Sequence, residues 1–166
     1  MSKSISNPDK IRDHGKFKPN GALTVAAQYI KDLSFENPRA PFSFSSTEQP
    51  SVDLALDVAI HDMQNGSYEV TLGIHCKTTT KGETILLVEL KYAGVFTLED
   101  VGQDEKEIIL SVHCPGMLFP YARRIVSDVV ADGGYSPLML SPIDFLGLYL
   151  KKKREQLPPA EQATIN

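Results

Sequence analysis

At 166 residues, 42% of them hydrophobic and with a formal net charge of −4, the chain has the length for one domain with its own core. No apolar run approaches the roughly 20 residues that cross a bilayer, and the opening MSKSISNPDKIRDHGKFKPNGA lacks the apolar centre of a secretory signal, so direct membrane insertion is excluded and a cytoplasmic location expected. Residues 1–20 carry five basic and two acidic side chains, residues 21–150 eight and seventeen; so acidic a body repels phosphate backbones, which excludes nucleic acid as an expected partner and favours a basic protein or peptide.

Residues 1–21 are polar, basic and aperiodic, and read as a disordered tail. Residues 22–154 read as the folded domain and 155–166 as a second tail. From Leu23 to Glu36 the chain alternates. Leu23, Val25, Ala27, Tyr29, Leu33 and Phe35 share one face, with Lys31 as an exception, and Thr24, Gln28, Asp32, Ser34 and Glu36 share the other. Pro38 and Pro41 end this strand, and a long connection through Phe42 and Phe44 leads to Pro50. A second strand sets Val52, Leu54, Leu56, Val58 and Ile60 against Asp53, Asp57 and His61. Asn65-Gly66 then marks a hairpin, because both residues tolerate positive φ. The third strand turns Tyr68, Val70, Leu72, Ile74 and Cys76 inward, with Gly73 as a candidate bulge. After a turn at Lys81-Gly82, the fourth strand is apolar on both faces and Gly94 is expected to bend its end.

Gln103 to His113 reads as a short helix with acids in its first turn. A longer helix follows, with Pro120 in its first turn and an apolar stripe of Leu118, Tyr121, Ala122, Ile125, Val126, Val129 and Val130; Gly133-Gly134 ends it. Ser141 as N-cap, Pro142 at the first helical position and Asp144 in the first turn open a third helix, which ends in the basic run Lys151 to Arg154. Strands first and helices after give an α+β fold, a four-stranded antiparallel sheet with helices on one face.

Chemistry is sparse. There is no phosphate-binding glycine loop and no nucleophile elbow, and neither cysteine is in a CxxC. Adjacent His113 and Cys114 diverge on a helix and cannot jointly chelate a metal. Pairing of Cys114 with His61 or His75 would be the one route to nucleophilic catalysis. No catalytic residue, metal or cofactor is assigned. The sheet face away from the helices would show Asp32, Glu36, Asp53, Asp57, Glu69 and Glu89 around Leu87, either a solubilising surface or a docking face for a partner.

Four segments resemble one family: Lys31-Asp32-Leu33-Ser34-Phe35-Glu36-Asn37-Pro38, Leu87-Val88-Glu89, the run from Cys114 to Arg123 (CPGMLFPYAR) and the run from Leu138 to Phe145 (LMLSPIDF). Together, over roughly residues 22–153, they resemble the SecB family of protein-export chaperones. The resemblance implies an ATP-independent chaperone that binds unfolded preproteins and delivers them to the SecA motor. It implies a homotetramer, a dimer of dimers. It implies SecA binding at Asp32, Glu36, Leu87 and Glu89, and a client groove including Phe42, Phe44, Leu54, Leu118, Phe119, Tyr121 and Ile125. The chain departs from the family where a tryptophan often precedes Gln-Pro: here Glu48 precedes Gln49-Pro50, leaving Phe42 or Phe44 as replacements. Two alternatives stand beside this reading, a SecB-like chaperone of a toxin-antitoxin system and a small cytoplasmic hydrolase or ligand binder.

Overall fold

A computed structural model describes residues 22–156. Residues 1–21 and 157–166, read above as tails, lie outside the described residues, while Glu155 and Gln156 fall within the last helix. Four strands, β1 (Ala22–Glu36), β2 (Ser51–Gln64), β3 (Ser67–Thr80) and β4 (Glu83–Glu99), pair antiparallel in the order β1-β4-β3-β2. Helices α1 (Gln103–Ile108), α2 (Cys114–Asp132) and α3 (Phe145–Gln156) follow.

The central pair is the best covered. Val70, Leu72, Ile74 and Cys76 of β3 and Leu86, Val88, Leu90 and Phe96 of β4 face the helices and are buried. They pack against Leu118, Ala122, Val126 and Val130 of α2. The hairpins form where expected, with positive φ at Asn65, Gly66, Lys81 and Gly82, and at Gln64 as well. Gly73 is no bulge, since its register with β2 and β4 is unbroken. A Cβ there would stand 2.7 Å from Cγ of Asp57, so glycine leaves room for that carboxylate. β4 runs on through Gly94 to Glu99, and Gly94 admits the Phe96 ring and Leu118.

Two breaks in alternation overturn part of the reading of β1. The register with β4 slips between Val25 and Ala27 and again between Ile30 and Asp32. The first slip sends Ala27 and Tyr29, opposite Val95 and Ala93, to the outer face and brings Gln28 and Ile30 to the helix side. The second restores the phase, so Leu33 and Phe35 face the helices while Asp32, Ser34 and Glu36 face outward. Lys31, the misfit in the sequence, is the residue passed over at the second slip.

The two central helices are one. A π turn, Ile109–His113, joins α1 to α2, with the Cys114 N–H donating to the Ile109 carbonyl. Pro115, not Pro120, is the early proline of α2; Pro120 lies inside the helix on its exposed side, where it has no N–H to donate to the Gly116 carbonyl. At the other end Gly134 takes φ +90, and the Gly134 and Tyr135 amides donate to the Ala131 and Val130 carbonyls, a Schellman ending. Ser141 does not cap α3. Asp144 does, its Oδ1 accepting from the Gly147 amide at 2.9 Å, which starts the helix at Phe145 and leaves Ser141 and Pro142 outside it.

Candidate functional site

The outer sheet face collects the charged residues read from alternation. Glu36 pairs across β1 and β4 with Leu87, Ser34 with Glu89 and Asp32 with Lys91, so the four residues of the expected SecA contact share one corner. Asp53, Asp57 and Glu69 lie on the same side of β2 and β3, but the face also carries Lys31, Lys77 and Lys91 and is mixed rather than purely acidic. His75 Nδ1 lies 3.0 Å from Glu89 Oε1. Glu69 accepts hydrogen bonds from Lys31 Nζ and the Tyr29 hydroxyl; Lys31 above all, then Tyr29, holds its carboxyl below the ordinary range. The same bond raises the Tyr29 phenol.

Cys114 sits on the other side of the sheet. It is fully buried, and burial alone pushes its thiol up to about 12. Cys76 also points toward the helices, and burial raises its thiol. His61 and His75, opposite Glu69 and Glu89, face outward, so the sheet separates them from Cys114 and the nucleophile pair is not assembled.

Among the described residues, three of the apolar areas left open on the helix side bear on the site. Along β1, Ile30 (47% exposed) and Leu33 lie beside Tyr92, whose ring stacks on exposed Tyr121 at 6.1 Å. Along β2, a cleft of about 430 Å³ lies between Leu56, Val58 and Ile60 and the Phe145, Leu148 and Tyr149 side of α3, with Lys151 and Lys152 at its rim. The third is the connection after β1. Its 3-10 turn, Phe42–Ser45, holds Phe42 out at 81% exposure while Phe44 leans on the Tyr135 ring at 5.2 Å.

The expected groove residues therefore divide. Phe42, Phe44 and Tyr121 are exposed, and Leu54 is half-buried on the helix side of β2. Leu118, Phe119 and Ile125 are buried: Leu118 is wholly enclosed under α2, Phe119 packs edge-on against Phe145, and Ile125 lies in the same core. Leu118 therefore cannot line an open groove, whereas an edge of Phe119 borders a cleft beside Pro120, Arg123, Met139 and Pro142. Sequence reasoning passed over Ile30, which strict alternation placed with the polar residues. The signals were the adjacent misfits, Ile30 among the polar residues and Lys31 among the apolar ones.

The family model for the preprotein translocase subunit SecB matches residues 17–156. The protein-export protein SecB of Parvibaculum lavamentivorans is 46% identical over 142 residues, 85% of this chain and 84% of that protein. Its counterpart in Rhodopseudomonas palustris is 43% identical over 149 residues, covering 89% and 92%. Among solved structures, a Mycobacterium tuberculosis SecB-like chaperone in complex with a peptide from an antitoxin superposes with a TM-score of 0.62 at 16% identity, covering 73% of this chain and 90% of that one.

Proposed function

Because this chain belongs to the SecB family, we propose that it serves protein export as an ATP-independent chaperone, binding unfolded preproteins in the cytoplasm and passing them to SecA. The observation that carries the reading is apolar surface left open beside a complete core. Ile30, Leu33, Tyr121 and Phe42 stay exposed although Val70, Leu72, Val88 and Leu118 are fully enclosed. Shallow surface of this kind suits many unrelated apolar segments better than one small molecule. Among the relatives, 43–47% identity over most of the chain lies with export proteins, while the antitoxin-bound chaperone shares the fold at 16% identity, which favours general export.

The proposed groove consists of Phe42, Phe44, Leu54 and Tyr121, joined by Ile30 and Leu33. Asp32, Glu36, Leu87 and Glu89 are the proposed SecA contact. A homotetramer, two dimers paired, would multiply weak sites along one client. Among the described residues β1 and β2 each keep an unpaired edge, which suits assembly. The test is refolding: excess protein, without nucleotide, should delay refolding of a denatured preprotein, and its size-exclusion mass should be that of four chains. Undelayed refolding, or a clean monomer, would overturn the reading.

A further inference from the structure

The connection between β1 and β2 is fastened to the end of α2 through one phenol. The Ser43 hydroxyl and the Tyr135 hydroxyl lie 2.6 Å apart, and Tyr135 donates to Asn37 Oδ1 at 2.8 Å. With that proton committed, the Ser43 hydroxyl is the donor of the first bond. Asn37 Nδ2 in turn donates to the Gly133 carbonyl at 3.0 Å. One chain of bonds thus ties both ends of the segment 37–43 to the last turn of α2. The aromatic contacts follow the same line. A Cβ on Gly134 would stand 3.0 Å from the Phe44 ring, and one on Gly133 would meet Phe35. The run Gly133-Gly134-Tyr135 is therefore a seat: two residues without side chains admit two phenylalanine rings, and the third bears the hydroxyl that fixes the backbone between them.

The seat has a consequence for Phe42. Its neighbours Ser43 and Phe44 are both held, and Ser43 and Phe44 amides donate to the Arg39 and Pro41 carbonyls. Phe42 is the most exposed of the three, at 81% against 50% for Phe44, whose ring rests on Tyr135. An unrestrained loop would fold an exposed phenylalanine back onto nearby apolar surface, because burial of such a ring is favourable.

We propose that Tyr135 is a positioning residue for client binding, its hydroxyl holding the 37–44 segment so that Phe42 is presented outward. The proposal rests on the chaperone reading and on Phe42 as a client contact. Preorganisation of this kind raises affinity by lowering the ordering cost on binding.

The variant Tyr135→Phe keeps the ring against Phe44 and removes only the hydroxyl. Binding is measured with a fluorescently labelled, carboxymethylated protein that cannot refold. Loss of its bonds to Ser43 and Asn37 should weaken binding about three- to tenfold. Ser43→Ala, which removes one of these bonds and leaves Tyr135 donating to Asn37, should weaken binding in the same direction but less. Phe42→Ala should cost less affinity in the Tyr135→Phe background than in the parent, because its placement is already lost, whereas Tyr121→Ala should cost the same in both. Amide exchange at Ser43 and Phe44 should quicken severalfold in Tyr135→Phe, with α2 unchanged. Unaltered affinity, or equal coupling of Tyr135 to Phe42 and to Tyr121, would overturn the positioning role. If the parent protein fails to bind the probe, the chaperone reading itself falls, a result distinct from either.

Discussion

The Phe35 ring occupies the space a side chain on Gly133 would need: a Cβ there would stand 2.9 Å from Phe35 Cε1. Gly133 itself is helical, with φ −72, so backbone freedom is not what the position demands; closeness is. Gly133→Ala should thus push Phe35, the last apolar residue of β1 on the helix side, away from α2. The cost expected for such overpacking is about 1–3 kcal/mol, read as a lowered denaturation midpoint at fixed protein concentration. A second change, Phe35→Leu, should recover part of it by shortening the intruding ring.

Leu118 and Tyr121 are three residues apart on α2 and should answer to different assays. Leu118 is fully enclosed, so Leu118→Ala should lower stability by about 2–5 kcal/mol, chiefly through the cavity it leaves. Tyr121 is 49% exposed and rests on Tyr92, so Tyr121→Ala should cost about 1 kcal/mol of stability and show its main effect in weaker binding of unfolded protein. Denaturant unfolding and probe binding, run on both variants, separate the core residue from the surface one.

Much of this division was legible in the chain. Period-two alternation places β2, β3 and β4 and the outward carboxylates, and the apolar stripe of α2 by itself marks Leu118 and Ile125 as core. It was the family resemblance, not the periodicity, that assigned them to a groove. What alternation cannot carry is a slip in register, because a bulge is fixed by pairing with β4 and leaves β1 discordant at little more than Ile30 and Lys31. The joined helix was hidden for a similar reason. Acids at 104 and 105 and the proline at 120 read as separate starts, and only a π turn ahead of Pro115 lets one helix run through. Ser141 and Asp144 are both acceptable caps on type, and the choice between them belongs to the packing of Phe145 on Phe119.

The buried Cys114 thiol makes stability depend on alkaline pH. Its native pKa of about 12 exceeds the ordinary 9.0, so the unfolded chain releases this proton first. The associated stability is complete below pH 9 and is lost as pH rises from 9 toward 12. By pH 10 the loss should be about 1.4 kcal/mol relative to pH 8. Tyr29 and Lys153 are also raised and act with the same sign, so the measurement is a difference: unfolding free energy at pH 8 and pH 10, for the parent and for Cys114→Ala. The parent should lose more over this interval than the variant. Equal losses would mean that the thiol ionises in the native state as readily as in the unfolded one.

The outer corner formed by Asp32, Glu36, Leu87 and Glu89 should be separable from client binding because the sheet lies between them. Asp32 and Glu36 are exposed on an edge strand, and Glu89, also exposed, is paired with His75, so reversal of any one charge should leave the fold within about 0.5 kcal/mol of the parent. SecA affinity should nevertheless fall about three- to tenfold for Asp32→Lys or Glu89→Lys at low salt, and the deficit should shrink as salt screens the pair. Leu87→Ala should weaken the same complex with little salt dependence, since what it removes is apolar contact. Binding of the unfolded probe, proposed to engage Phe42 and Tyr121 on the helix side, should be unchanged in all three variants. Parallel loss of SecA and probe binding would mean that the substitutions had disturbed the sheet, and undiminished SecA binding in all three would place the contact elsewhere on the molecule.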